Sequence, residues 1–323
     1  MRLRLSVALR AATRRLLIGL VTIWVVATVI FGATEILPGD VAEAVLGPDA
    51  TPESLAAMRE RLGLDRPVLL RYATWLDHAL LRLDLGASLG SGRPVAEAVG
   101  DRLWNTARLA AVTALLAIPA ALALGVISAI RAGSVLDRGI GLAALCAVSV
   151  PGFFVAIALV YVFAVQLGWL PALATVRPGQ TFPAFLRSVA LPSATLAIGL
   201  MPHIIRQTRN ALLAALSHAH IEMAVLKGVP RSAIILRHAL PNALAPILNI
   251  VALVSAYLVA GVVVVETVFG FPGLGRLMVD AVATRDTPVA QACALIFATT
   301  YVVANALADT LAVLANPRLR VPR

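Results

Sequence analysis

Acidic side chains within apolar segments are the first candidates for chemistry, because a carboxylate inside a membrane can carry a proton or an ion. The candidates are Glu35, Glu266 and Asp309, and each lies close to the end of an apolar segment, where it can reach headgroups or water. No acid lies near the middle of an apolar segment, and the sequence shows no inverted repeat. These features argue against a proton-driven or sodium-driven secondary transporter.

Histidines and cysteines give no convincing catalytic or metal site. His218 and His220 lie two residues apart, which is poor spacing for one helical face, and a third ligand is not evident. Cys146 and Cys293 lie inside apolar runs without zinc or redox spacing, so we interpret them as small core residues. Phosphate-loop, dinucleotide and nucleophile-elbow motifs are also missing from the sequence. We therefore expect no catalytic residue, metal or cofactor in this chain.

The segment with the most informative spacing comprises residues 217–241. Residues 221–227 read as a short helix that ends at Gly228, and Pro230 stands in the first turn of a second helix. Two short helices that meet at a glycine form a compact projection with apolar and charged side chains. Physical reasoning leaves two interpretations open, a docking element for a partner or an amphipathic helix lying in the headgroups.

The composition indicates a membrane protein. The chain has 323 residues, of which 60% are hydrophobic and 14% charged, and its mean hydropathy is +0.89. An ordinary soluble domain carries about 25% charged residues. The net charge of +10 comes from basic residues that flank apolar runs, and only 5% of residues are aromatic. We therefore attribute the charge to membrane topology rather than to nucleic-acid binding.

Apolar segments long enough to cross a bilayer define the predicted fold, since a core about 30 Å thick needs about 20 residues of helix. The predicted fold class is an all-α polytopic membrane protein with six transmembrane helices in one domain, residues 1–323. The predicted spans are residues 16–37, 106–130, 139–167, 189–205, 243–265 and 288–314. The fourth span carries Pro192 and Pro202 and is the shortest.

Basic residues set the orientation, because arginine and lysine mark cytoplasmic flanks. With six spans, the two termini and the loops after spans two and four fall on one side. Their basic residues are Arg2, Arg4, Arg10, Arg14 and Arg15; Arg131 and Arg138; Arg206, Arg209, Lys227, Arg231 and Arg237; and Arg318, Arg320 and Arg323. We place both termini in the cytoplasm. A twin-arginine export signal is the alternative at the N-terminus, but the following apolar run is too long and lacks an Ala-x-Ala site.

The first external loop, residues 38–104, is too long for a simple connector and is predicted to be partly helical. A helix should begin at Thr51 and end at Gly63, and an amphipathic stretch follows over residues 68–80. Residues 86–90 have dimerisation spacing but are interpreted as a turn, because they lie outside the spans. The loop is either a lid packed on the spans or a docking surface for an external partner.

The spacing within residues 217–241 resembles the Glu-Ala-Ala loop of bacterial ABC importer permeases. The matching residues are Glu222, Ala224, Gly228, Leu240 and Pro241, whereas Met223 and His238 replace two motif positions. Further short segments resemble the B-type subunit of dipeptide and oligopeptide permeases. They are residues 37–40, 62–67, 84–88, 93–95, 265–269, 272–275, 285–289 and 316–320.

This resemblance implies a type I ABC importer-like permease subunit of a bacterial inner membrane. It implies three kinds of partner, namely a second homologous permease, two cytoplasmic ATPases that hold ATP and Mg, and an external substrate-binding protein. Residues 217–241 would be the coupling loop on which an ATPase docks. The implied coupling residues are Glu222, Met223, Ala224, Lys227, Gly228 and Arg231.

The resemblance also implies particular roles and a substrate class. Glu222 would pair with a basic group of the ATPase or cap its own helix, and Gly228 would permit a tight turn. The implied substrate is a peptide, with nickel, glutathione, haem or another small solute as the alternative, carried between spans two to five. Pro151 and Pro246 could bend their spans, either as packing kinks or as gates. A passive channel or a secondary transporter is the competing class.

Overall fold

The computed structural model describes residues 2–36, 41–47, 50–177 and 179–315. Residues 37–40 and 316–320, which carry two of the resemblances, lie outside the described residues. The arginines of the C-terminal tail lie outside them too.

The described part of the chain is built from helices. They are α1 (Arg2–Ile36), α2 (Val41–Leu46), α3 (Pro52–Leu62), α4 (Val68–Leu76, continued by a π-helical stretch, Asp77–Leu81), α5 (Val95–Ile130), α6 (Val135–Ser149), α7 (Gly152–Leu159, continued by a π-helical stretch, Val160–Gln166), α8 (Phe182–Leu216), α9 (Ala219–Leu226), α10 (Arg231–Ala233, continued by a π-helical stretch, Ile234–Ala239), α11 (Leu240–Val268), α12 (Leu274–Ala283) and α13 (Thr287–Ala315). The prediction of an all-α fold is confirmed.

Five stretches of helix are long and apolar enough to cross a membrane. They are Leu17–Ile36, Val95–Ile130, Phe182–Leu216, Arg231–Ser255 and Thr287–Leu307. The pair Val135–Ser149 and Gly152–Gln166 meets the same standard together but is bent by 104°. The predicted count of six is reached within the described residues when this bent pair forms one span.

The bend in the third span lies at Pro151, as its sequence position predicts. Val150 (φ −99°, ψ 125°) and Pro151 (φ −57°, ψ 138°) are both extended, so the helix stops and restarts. Proline supplies no backbone N–H and pushes the preceding residue towards extended backbone. Pro246, in contrast, lies inside α11, and the helix continues past it.

The fourth span is longer than predicted. Residues 189–205 were expected, whereas α8 runs from Phe182 to Leu216 and contains Pro192 and Pro202. Neighbouring helices satisfy the backbone groups that a proline frees, so a membrane helix tolerates proline. As a consequence Arg206 and Arg209 lie on α8 and not in the following loop, which corrects their predicted placement.

The three acidic residues near the ends of predicted spans lie in different environments. Glu35 forms an ion pair with Arg71 of the external loop. Glu266, predicted to reach headgroups or water, is instead fully buried at 0% exposure, because the last turn of α11 is covered by protein. The side chain of Asp309 lies outside the described residues.

The chain divides into two compact units, and the first comprises Met1–Ala107 and Gly270–Val302. Its main core packs side chains of α5, α12 and α13, including Val95, Leu274 and Cys293. Cys293 is fully buried, as predicted, whereas Cys146 of the second unit is exposed on α6. The interpretation of Cys146 as a core residue is therefore wrong, because an apolar helix in a membrane does not have to hide its small residues.

The external loop of the first unit contains the predicted helices. Thr51 caps α3 by accepting a hydrogen bond from the Ser54 N–H (3.3 Å), and Gly63 ends it with φ +65°. The aromatic side chains of α4 pack on α1, where the Phe31 ring lies 5.4 Å from Tyr72 and 5.6 Å from Trp75. Part of the loop is thus packed on the first span.

The predicted turn at residues 86–90 binds the carboxylate of Asp286, which belongs to the second segment of the first unit, Gly270–Val302. The Ser88 hydroxyl donates to Asp286, and the Leu89 N–H donates to the same carboxylate over 3.1 Å. Residues 84–88 and 285–289, two of the segments that resemble peptide permeases, are therefore joined by hydrogen bonds.

The second unit comprises Arg108–Phe269 and Val303–Arg323. Its core packs α5 and α8 against the start of α11, with Leu212 and Ala239 fully buried. Gly125 of α5 lies so close to α8 that a Cβ atom there would stand 2.7 Å from the Thr208 Cβ and 2.9 Å from the Ile205 carbonyl oxygen. The two helices thus pack backbone to backbone, as membrane helices do at small residues.

Candidate docking site

The short helix α9 lies directly between α8 and α10, where the sequence predicts a helix at residues 221–227. The His218 carbonyl accepts from the Ile221 N–H over 2.9 Å and begins the helix. Ile221 is 4% exposed and anchors the helix to its unit. The predicted helix is confirmed to within two residues.

A left-handed glycine ends α9. Gly228 has φ +73°, its N–H donates to the Val225 carbonyl over 2.9 Å, and the Val229 N–H donates to the Ala224 carbonyl over 3.1 Å. These two bonds define a Schellman motif. A Cβ atom at Gly228 would meet nothing within 4 Å, so the backbone angle, and not space, favours glycine.

The second helix of the segment is not short, which corrects the prediction of two short helices. Pro230 is extended (φ −61°, ψ 142°) and begins α10, which continues through its π-helical stretch into α11 and ends at Val268. Ile234, Ile235 and Ala239 are buried along this path. These buried side chains hold the helix against the protein. The projection formed by α9 and α10 therefore continues directly into a membrane span.

The outer surface of α9 is largely apolar. Met223 is 53% exposed, Val225 is 59% exposed and Leu226 is 80% exposed. Glu222 and Lys227 are exposed among them. At about 100° per residue, the three apolar side chains fall within an arc of about 160°, and Glu222 projects between Val225 and Leu226. The exposed surface of α9 is therefore apolar but interrupted by a carboxylate.

The predicted site residues differ in how they contact the rest of the protein. Within the part of the chain that the structure describes, the Glu222 carboxylate makes no hydrogen bond or ion pair, so it does not cap α9. Arg231 is exposed, and its guanidinium donates to the Ile130 carbonyl at the end of α5 over 3.1 Å. Ala224 is half-buried and serves the turn through its carbonyl.

A buried ion pair that the sequence analysis missed lies at the same end of α5. Asp137 is 6% exposed and accepts two hydrogen bonds from Arg209, at 2.7 Å and 2.8 Å. The Ser128 hydroxyl and the Gly133 N–H also donate to this carboxylate. Asp137 thereby ties together α5, α6 and α8, the framework on which Arg231 holds the docking segment.

A mainly apolar cavity lies deeper in the second unit. It has a volume of about 730 Å³ and is bounded by α7, α8 and α11. Phe153, Leu196 and Leu258 contribute apolar walls, and His203 is the basic side chain of its lining. A Cβ atom at Gly199 would meet nothing within 4 Å, so this glycine leaves the cavity open.

Comparisons with known proteins agree along nearly the whole chain. The family model described as "Binding-protein-dependent transport system inner membrane component" matches residues 121–321, and the N-terminal membrane component model of the same systems matches residues 8–110.

Three relatives illustrate the similarity. A probable peptide ABC transporter permease of Sinorhizobium fredii is 36% identical over 307 residues, covering 95% of this chain and 98% of that protein. A putative peptide transport system permease of Brucella abortus is 37% identical over 296 residues (92% and 94%). A glutathione transport system permease of Salmonella choleraesuis is 34% identical over 305 residues (94% and 97%).

A solved structure has the same fold. A chain of the MetNI methionine ABC transporter, in an inward-facing conformation, superposes with a TM-score of 0.51 at 19% identity, covering 68% of this chain and 96% of that chain.

Proposed function

This chain belongs to the family of inner membrane components of binding-protein-dependent transport systems, the permease subunits of ABC importers, and from this premise we propose that it carries peptides and is driven through α9. It is a multi-pass protein of the bacterial inner membrane. In the proposed complex it pairs with a second homologous permease, two cytoplasmic ATPases and an external substrate-binding protein. Both termini lie in the cytoplasm, on the side of α9.

The exposed surface of α9 is the observation that carries the docking role. A helix that lies in the headgroups needs one continuous apolar face, whereas the exposed Glu222 interrupts the apolar arc of Met223, Val225 and Leu226 on α9. A short helix that mixes exposed apolar and charged side chains in this way fits a cleft in another protein better than a flat lipid surface. This favours docking over the headgroup interpretation.

The connections of α9 support a mechanical role. The helix α8 enters it directly, and the continuous path from α10 to α11 leaves it. A displacement of α9 by an ATPase pair that closes on ATP and Mg would therefore act on two membrane helices at once. Rigid-body movement of such helices is one of the established forms of alternating access.

The Gly228→Asp variant tests this role. The reconstituted complex with its binding protein should lose substrate-stimulated ATP hydrolysis, because an aspartate in the turn adds charge and backbone strain at the docking surface. The chain should remain in the membrane. The matched control is Gly63→Asp, which places the same residue in the same left-handed conformation in the external loop. Normal stimulation of ATP hydrolysis in Gly228→Asp would contradict the proposal.

Peptides are proposed as substrates because the two peptide permeases and the glutathione permease described above each match more than 90% of the chain. The cavity of about 730 Å³ bounded by α7, α8 and α11 is proposed as part of the path. A ligand panel tests the substrate class. Dipeptides and oligopeptides should stimulate ATP hydrolysis, and stimulation by glutathione, a nickel complex or haem alone would contradict a general peptide specificity. Uptake without ATP would point to a passive channel or secondary transporter.

A further inference from the structure

A second cavity in the second unit has a different chemical character. It has a volume of about 490 Å³ and lies along α6 and α8, apart from the cavity proposed for the substrate. Three arginines and one acid belong to its lining, namely Arg138, Arg206, Arg209 and Asp137. A cavity with this excess of cations is suited to an anion.

The charges of this cavity do not cancel among the residues that the structure describes. Asp137 is fully engaged by Arg209 in a two-pronged ion pair. Arg138 donates to the Gly133 carbonyl over 3.3 Å, a contact that leaves its charge uncompensated. Arg206 is exposed and makes no hydrogen bond or ion pair with any residue that the structure describes. Two cations therefore remain available to a ligand.

Both cations lie towards the end of a membrane helix, where the phosphate layer of a bilayer is expected. Arg138 lies in the first turn of α6, three residues after Val135. Arg206 lies ten residues before the end of α8, which corresponds to about 15 Å of a helix that extends beyond the hydrocarbon core. Arginines at this level of a membrane helix reach headgroups, and basic pockets between membrane helices bind anionic lipid headgroups.

Apart from Ser128 and Asn210, the rest of the lining is apolar. Leu145 and Val148 of α6 and Ile205 of α8 line the cavity beside the arginines, and the small residues Gly141 and Ala144 leave room on its α6 side. An apolar wall offers no favourable contact to inorganic phosphate, whereas it can bury the acyl chain of a phospholipid.

We propose that this cavity binds an anionic phospholipid, with Arg138 and Arg206 as the ligands of its phosphate and Leu145 and Val148 along its acyl chain. Arg209 orients the site through Asp137 and keeps α6 and α8 at a fixed distance. The site is independent of the substrate path and of the docking surface on α9.

Native mass spectrometry of the purified transporter complex tests the proposal. The complex should retain dioleoylphosphatidylglycerol in preference to dioleoylphosphatidylcholine. The Arg138→Gln and Arg206→Gln variants should each lower phosphatidylglycerol retention about fivefold, and the double variant more strongly. Arg206→Lys should retain most of the binding because it keeps the charge. The matched control is Arg131→Gln, an exposed arginine of the loop between α5 and α6 that is not part of the lining.

Four results would overturn the proposal. The first is equal retention of the two lipids. The second is a loss in Arg131→Gln as large as that in Arg206→Gln. The third is displacement of bound phosphatidylglycerol by inorganic phosphate as readily as by added dioleoylphosphatidylglycerol, which would make the site one for free phosphate. The fourth is an Arg138→Gln or Arg206→Gln variant that keeps the elution volume and thermal unfolding of the wild type, and hence its fold, but loses no lipid.

Discussion

Two helices of this protein end in the same turn but present different surfaces. At the end of α3, Gly63 has φ +65°, and its following residue Leu64 donates to the Arg59 carbonyl over 3.0 Å. At the end of α9, Gly228 has φ +73°, and Val229 donates to the Ala224 carbonyl over 3.1 Å. Both turns are Schellman motifs, so local backbone chemistry does not distinguish them.

The residues just before each glycine make the difference. Before Gly63 the chain carries Arg59, Glu60 and Arg61, which are exposed and well solvated. At the equivalent positions before Gly228 it carries Ala224, Val225 and Leu226, of which the last two are 59% and 80% exposed. The surface beside Gly63 is charged and solvated, whereas the surface beside Gly228 is apolar and can be covered by a partner. The glycine turn thus sets the backbone geometry, and the residues before it determine whether the surface can bind a partner.

The largest expected effect comes from exchanging these neighbours. Leu226→Asp should weaken binding of the ATPase to the permease pair by about 2 kcal/mol, or about 30-fold, because a leucine loses its burial at the interface. Biolayer interferometry with the permease pair in nanodiscs measures this affinity. Arg61→Asp, at the equivalent position of α3, should leave the affinity unchanged. Equal losses of affinity in both variants would show that the exposed leucine of α9 is not what distinguishes the two turns.

An intermediate effect is expected in the framework that carries the Gly228 turn. Gly125→Ala should destabilise the protein by about 1.5 kcal/mol, because its Cβ atom would overlap Thr208 and the Ile205 carbonyl on α8. Thermal unfolding in detergent measures the change. The matched control is Gly139→Ala on α6, where a Cβ atom meets nothing within 4 Å. If the control is destabilised as much, close packing of α5 on α8 is not the cause.

The smallest expected effect separates backbone strain from docking at the two glycine turns. Gly228→Ala and Gly63→Ala should each cost about 1 kcal/mol, since alanine at positive φ strains the backbone in the same way at both turns. The two variants should therefore unfold at similar temperatures, yet only Gly228→Ala should lower substrate-stimulated ATP hydrolysis. A loss of stimulation in Gly63→Ala would show that strain in either turn is sufficient.

Local rules explain most of what the sequence predicted correctly. The start of α3 at Thr51, its end at Gly63 and the end of α9 at Gly228 each depend on a few adjacent residues. The bend at Pro151 is equally local. The same proline rule failed for the fourth span, because Pro192 and Pro202 lie inside a helix whose neighbours compensate for the lost hydrogen bonds. That compensation depends on tertiary packing.

Non-local pairing accounts for what was missed at the site. Asp137 and Arg209 are 72 residues apart, and the predicted spans leave the two positions in different loops on the same side of the membrane. Nothing in their spacing indicates a pair. Arg231, predicted as a partner contact, is exposed and also donates a hydrogen bond to the Ile130 carbonyl, 101 residues away in the sequence. The resemblance located the segment, whereas the contacts of its individual side chains with the rest of the protein come only from the structure.

The length of α8 has a consequence for where the Gly228 turn stands. Its 35 residues extend about 52 Å along the axis, against a hydrocarbon core of about 30 Å. Even at a tilt of about 40°, near the limit for membrane helices, it reaches across about 40 Å. The part of α8 that extends beyond the hydrocarbon core places α9 towards the aqueous phase. An ATPase can therefore approach α9 without displacing lipid.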